Sequence, residues 1–295
     1  MKQALAYHAV TLAMEGAAGL SPADRFALAI RHAVDGHVDH DRYRRAAIAR
    51  KRGGAGPDSI DRAVADWLAT DLNPATRAIG MTSSPANAAW GYNAYNLSAR
   101  LGVRTSVDPA SAAPGELARF ARREMRAQGE DPELCAVGTI SVLERLLGRV
   151  SRNAKAGGPR LSMGIVEVGS LLGVGACASF QAAQALREIG TSDFARVASR
   201  LGASGRALRR ALSDEGVSLS ALAMATRLAR ATDLLASSLP LAEVAFASGF
   251  SDMSHMSRAF RASCGMPPSL LRQVVRGGVA PEPALAVPAD WAAAG

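Results

Sequence analysis

The chain has 295 residues, room for about two domains at the usual 100 to 200 residues each, and its 48% hydrophobic content excludes wholesale disorder. Its formal charge is +8, and all but three of its 34 basic residues are Arg, the exceptions being Lys2, Lys51 and Lys155. Arg forks suit phosphate and guanine better than Lys does. The three cysteines Cys135, Cys177 and Cys264 lie far apart, which argues against a disulfide framework, a CxxC redox site and a Cys-based zinc finger. No stretch reaches the roughly 18 uncharged apolar residues of a membrane helix, so no membrane partner is expected. The start of the chain has the outline of a signal peptide, but His8 and a single leading cation argue against export, and the cytoplasm is the expected compartment.

In chain order, residues 1–52 are Ala-rich and helical in pattern, ending in the basic run 42–52 before Gly53-Gly54-Ala55-Gly56-Pro57. His37-Val-Asp-His40-Asp41 has a spacing that could hold a metal with Asp41 or His32. Exposed clusters of this kind are mostly solvated helix, and no metal is expected. Further helices are predicted around residues 60–71, 114–128 and 133–152. Trp90, Tyr92 and Tyr95, interleaved with Asn87, Asn93 and Asn96, have the chemistry of a polar-ligand pocket, although a core or interface role is the expected one. The apolar segment 161–180 reads as buried helix or strand and leads into a helix at 181–189. Arg100-Leu-Gly recurs at Arg200-Leu-Gly202, which is ordinary helix C-cap chemistry. No phosphate loop, Ser/His/Asp arrangement or carboxylate pair stands out, so no cofactor, no catalytic residue and no enzymatic activity are expected.

Residues 191–276 carry 11 Arg against 6 carboxylates, a higher positive density than residues 1–190 taken together. Ser192-Asp193 opens a helix whose Phe194, Val197, Ala198 and Leu201 form an i, i+3, i+4, i+7 stripe that Gly202 ends. Ser204 caps a second helix with Leu208, Ala211 and Leu212 inward and Arg206, Arg209 and Arg210 outward. The pattern recurs: Leu241, Val244 and Ala245, then Gly249-Phe250, then Ser251 capping a helix with Met256, Ala259 and Phe260 inward and Ser254, His255, Arg258 and Arg261 outward. Helix, glycine turn and helix with a polar outer face is the helix-turn-helix pattern, whose second helix enters the major groove. Residues 218–238, free of Gly and Pro, are predicted as one connecting helix of about 31 Å, close to the roughly 34 Å of a B-DNA turn.

The segment PLAEVAFASGFSDMSHMSRAFRASCGMPPSLLR resembles the C-terminal signature of the AraC/XylS family of bacterial transcription regulators, and RLGASGRALRRALSDEGVSLSALAMATRLARATDLL is similar to the family's first unit and linker helix. The resemblance covers residues 191–273. It implies double-stranded DNA as the partner, read by Arg206, Arg209 and Arg210 in the first unit and by Met253, Ser254, His255 and Arg258 in the second. RNA polymerase and an effector or protein partner of the N-terminal domain are the other candidate partners. Met256 stands where the family commonly has an aromatic residue or Leu, and Met253 where it often has a polar reader. Arg261 reads as a phosphate contact, and Arg227 and Arg272 as structural.

The expected fold is mainly α, with a C-terminal double helix-turn-helix domain, a connecting helix and a mostly helical N-terminal domain. Residues 1–190 are expected to be regulatory or oligomerising, 191–276 to bind DNA and 277–295 to form a flexible tail. Many relatives carry an N-terminal sugar-binding β-barrel, which needs regular alternating strands absent from this half. The Pro-Cys-His-Arg acceptor motif of DNA-repair methyl acceptors is missing too. The expected function is a sequence-specific transcription regulator. The alternative is a protein-partner-controlled interaction protein in which DNA contact is secondary. Because each unit carries its own apolar stripe, a fragment starting near Gly190 is expected to fold alone.

Overall fold

A computed structural model describes residues 5–99, 101, 103–108, 120–124, 133–157, 163–190 and 193–277. Among them the protein is mainly helical, with fifteen α-helices and four short strands. Strands β1 (Leu5–Tyr7) and β2 (His37–Asp39) pair antiparallel around α1 (His8–Met14) and α2 (Pro22–Val34). There follow α3 (His40–Arg52), α4 (Pro57–Leu68), α5 (Pro74–Met81) and α6 (Pro85–Ser98). Three of these starts share one local recipe: Ser21, Asn73 and Ser84 each accept a backbone N–H from the first turn, and proline follows at once. Such a side chain satisfies an orphan donor, and proline at the first helical position loses no hydrogen bond.

Strands β3 (Val103–Val107) and β4 (Phe120–Glu124) form an antiparallel hairpin. This corrects the helix predicted over residues 114–128, of which only 120–124 are described. There, pairing with β3 outweighs local helical pattern, since strand preference depends on the partner more than on the chain. Asn93 donates to Val107 O and accepts from Val107 N, both at 2.8 Å, and Asn96 accepts from Thr105 N at 3.0 Å. Those two amides bind β3 as an adjacent strand would. Trp90, Tyr92 and Tyr95 are buried around them, so this cluster is core except for Asn87, which is half-buried.

Helix α7 (Glu133–Lys155) backs α4, and α8 (Ile165–Leu172) and α9 (Ala178–Ile189) complete the N-terminal half. The C-terminal block consists of α10 (Phe194–Arg200), α11 (Gly205–Asp214), α12 (Leu219–Leu234), α13 (Leu241–Ala247), α14 (Met253–Cys264) and α15 (Pro268–Arg276). The connecting helix α12 has 16 residues, about 24 Å at 1.5 Å per residue. It is shorter than predicted because Ser237 turns its hydroxyl back to Leu234 O at 2.7 Å and the chain unwinds toward Pro240.

Packing runs across residue 190. Helix α5 is buried along all eight of its residues and packs against α6 and α7 on one side and α12, α14 and α15 on the other. Helix α2 also packs on α12 and α14, and one apolar cluster extends from Tyr7 to Val275. Two close approaches make the contact concrete. A Cβ on Gly91 of α6 would come within 2.6 Å of a Val274 methyl, and one on Gly265 within 2.9 Å of Ala99 Cα. Of the predicted tail, residues 277–295, only Gly277 is described, as the left-handed C-cap of α15.

Candidate nucleic-acid interface

The two units turn in the same way. After α10, Gly202 takes a left-handed conformation (φ 63°) and Ala203 N donates to Ala198 O at 3.0 Å. After α13, Gly249 does so (φ 84°) and Phe250 N donates to Ala245 O at 2.9 Å. Each is a Schellman-type ending in which glycine supplies the positive φ and the next N–H satisfies a carbonyl of the last turn. Ser204 caps α11 through Ala207 N at 3.1 Å. In the second unit the cap is Asp252 rather than Ser251: its carboxylate accepts from His255 N at 2.7 Å and from the Ser251 hydroxyl at 2.9 Å. Those bonds, the backbone N–H first, hold the Asp252 carboxyl below its ordinary value.

Of the inward residues expected, Leu208 and Leu212 in α11 and Met256 and Phe260 in α14 are buried, and Ala211 and Ala259 are half-buried. On the outward face Arg206, Arg209 and Arg210 are exposed. Arg209 lies over the Phe194 ring, 4.6 Å from its centroid, which aims it at lower entropic cost. Arg210 is 4.0 Å from Asp214, an exposed i, i+4 pair too screened to hold it firmly. On α14, Met253, Ser254, Arg258 and Arg261 are exposed and His255 is half-buried. His255 packs edge-on against Phe250, with centroids 5.3 Å apart, and its Nδ1 is 3.1 Å from Ser251 Oγ, so Nε2 is the nitrogen left for a ligand. The structure thus groups the eight predicted site residues as three on α11 and five on α14.

The histidine-rich segment serves other ends. His40 packs against Tyr43 in the interior, while His37 lies against Ala262 O, 3.0 Å from its Nδ1. Arg227 lies along Gly249 at 3.6 to 3.9 Å from where a Cβ would be. No local pattern marks Glu215, whose carboxylate accepts from Ala178 N at 2.6 Å and Ser179 N at 2.9 Å. It caps α9, whose own N-cap residue, Cys177, makes no such bond. A groove of about 840 Å3 opens between α8–α9 and α12–α13, lined among others by Leu186, Arg187, Arg230 and Phe246.

No helix among the described residues is long and apolar enough to cross a membrane. Comparison with known families matches residues 197–273 to a helix-turn-helix domain. Neither the curated proteins nor the solved structures contain a match to the chain, and the N-terminal half remains without a recognised family. With its paired glycine turns, capped second helices and family match, residues 197–273 form an AraC-type helix-turn-helix DNA-binding domain.

Proposed function

We propose that the protein is a sequence-specific transcription regulator that reads two successive major grooves, one with α11 and one with α14. The observation that carries this reading is the repetition of one exposed polar face on two helices that follow equivalent turns. Arg206, Arg209 and Arg210 are suited to guanine O6 and N7 and to phosphate. Ser254, His255 and Arg258 offer a mixed donor and acceptor set, with Met253 free for a thymine methyl and Arg261 for phosphate. On this reading the protein acts in the cytoplasm by binding alone and carries no catalytic step. A small effector would find its place in the groove between α8–α9 and α12–α13, where both halves of the chain line the wall.

Selection from a random-sequence duplex pool by the full-length protein tests this. Two conserved half-sites about one helical turn apart are expected, with affinity falling steeply as salt rises. A pool that stays random, with binding that depends on charge alone, contradicts it.

A further inference from the structure

Helices leave their last carbonyls without intrahelical partners, and α14 meets this need through the N-terminal half. Gly36 N donates to Ser263 O at 2.8 Å, and Asn73 Nδ2 approaches the same oxygen at 3.4 Å while also donating to His32 O at 3.3 Å. The His37 ring covers Ala262 O at 3.0 Å. In return, the Ser263 hydroxyl donates to Ala33 O at 2.5 Å, at the end of α2. The fit excludes a side chain at position 36, where a Cβ would stand 2.2 Å from Asn73 Nδ2 and 2.6 Å from Ser263 O.

Behind this contact the anchor is rigid. Asn73 accepts from Ala75 N as the cap of α5, and its own N–H donates to Asp71 Oδ1, which is also within 3.1 Å of the buried His8 ring. One turn further along α5, the buried Arg77 donates to Asp233 of α12 at 2.8 Å. Both the connecting helix and the second recognition helix are therefore tied to α5, at points 156 and 190 residues away in sequence from the residues they hold.

We propose that Gly36, His37 and Asn73 are positioning residues that set the second recognition helix, and so fix the half-site spacing the protein accepts. Specificity in spacing is then written outside the DNA-binding domain. The inference rests on the two-groove reading above. It differs from a purely structural role, which would lower binding to both half-sites together with the folded fraction.

The test uses full-length protein carrying Ser263→Ala, His37→Ala or Asn73→Ser, the last keeping a capping acceptor for α5 while losing the amide donor. Duplexes selected by the wild-type protein are varied by one and two base pairs between half-sites, and footprints are taken at each spacing. The variants are expected to protect the first half-site as the wild type does, to bind the second about tenfold more weakly, and to accept altered spacings. His37→Gln, which keeps a side-chain donor, restores the preference. Unchanged spacing preference, or equal loss at both half-sites, overturns the proposal. Hydrogen exchange separates the two layers: faster exchange at residues 261–265 with α11 unchanged supports the clamp even if no sequence is selected, which would sink the DNA reading instead. Unchanged exchange at 261–265 overturns the clamp.

Discussion

Among the described residues, the substantial contact of helix α11 with the N-terminal half is through α9, with Glu215 closing the junction at the C-terminal end of the helix. Helix α14 has its last turn set between α2 and α5, its final carbonyls filled by Gly36, Asn73 and His37. Two units of the same local design thus differ in how far the rest of the chain specifies their position. A helix-turn-helix is encoded locally, by caps and a glycine, whereas its orientation is encoded by whatever it packs on. The second unit has more of its geometry assigned by residues the family pattern does not contain.

The largest effect should come from removing that support. A fragment of residues 190–277 uncovers Ser263, Leu271 and Val274, which are buried in the full chain, so the second unit is expected to lose fixed tertiary packing while the first keeps its turn. Near-ultraviolet circular dichroism and amide exchange check this, and a fragment with native-like protection in both units would erase the comparison. Next, Arg77→Leu leaves Asp233 of α12 half-buried without its partner. Breaking a fully buried pair costs about 3 to 5 kcal/mol, an upper bound here because Asp233 keeps partial access to solvent. The loss is read as a lower denaturant midpoint for the full chain, and an unchanged midpoint would show that α5 does not hold α12.

Acid should probe the same region. Burial first, and the neighbouring His8 second, push the His32 pKa down to about 4, so unfolding takes up a proton as the pH falls below the ordinary value near 6.5. Its contribution is fully present above about pH 6.5 and is lost as the pH falls toward 4, at most about 3.4 kcal/mol at 1.36 kcal/mol per unit. Urea midpoints of wild type and His32→Asn, followed from pH 7 to 4.5, are expected to converge; parallel curves would contradict the assignment. In the first unit the effects are on binding rather than folding. Arg209→Ala should weaken the selected duplex by about 1 to 3 kcal/mol and relax one position, whereas equal loss on random DNA would make Arg209 a phosphate contact. Phe194→Leu removes the ring under Arg209 and should cost less, about 0.5 to 1 kcal/mol at an exposed site, measured on the same duplex.

The C-terminal block was legible in the sequence because its signals are short-range. Gly202 and Gly249 mark the turns, Ser204 starts α11, and the Arg spacing on α11 follows from 3.6 residues per turn. Asp252 in place of Ser251 is a shift of one residue within that local grammar. What could not be read depends on remote partners. Gly36 looks like a loop glycine until Ser263 O and Asn73 are brought against it. Asn93 and Asn96 have the chemistry of a pocket, and only β3 shows that their amides are spent on its backbone. The connecting helix predicted over residues 218–238 ends early for the same reason: α12 is shorter and lies against α2, α5 and α9. An insertion near Ala229, which is buried, would disrupt packing as well as register.

Footprinting of the full-length protein on its selected duplex, at low and at physiological salt, tests the central claim most directly. Two protected segments about one helical turn apart are expected. The first should weaken in Arg209→Ala and the second in Arg258→Ala, with both segments recovered at the higher salt once protein concentration is raised to offset the weaker binding. One protected segment, or protection that vanishes evenly with salt, would contradict the claim that α11 and α14 read DNA as two fixed parts of one body.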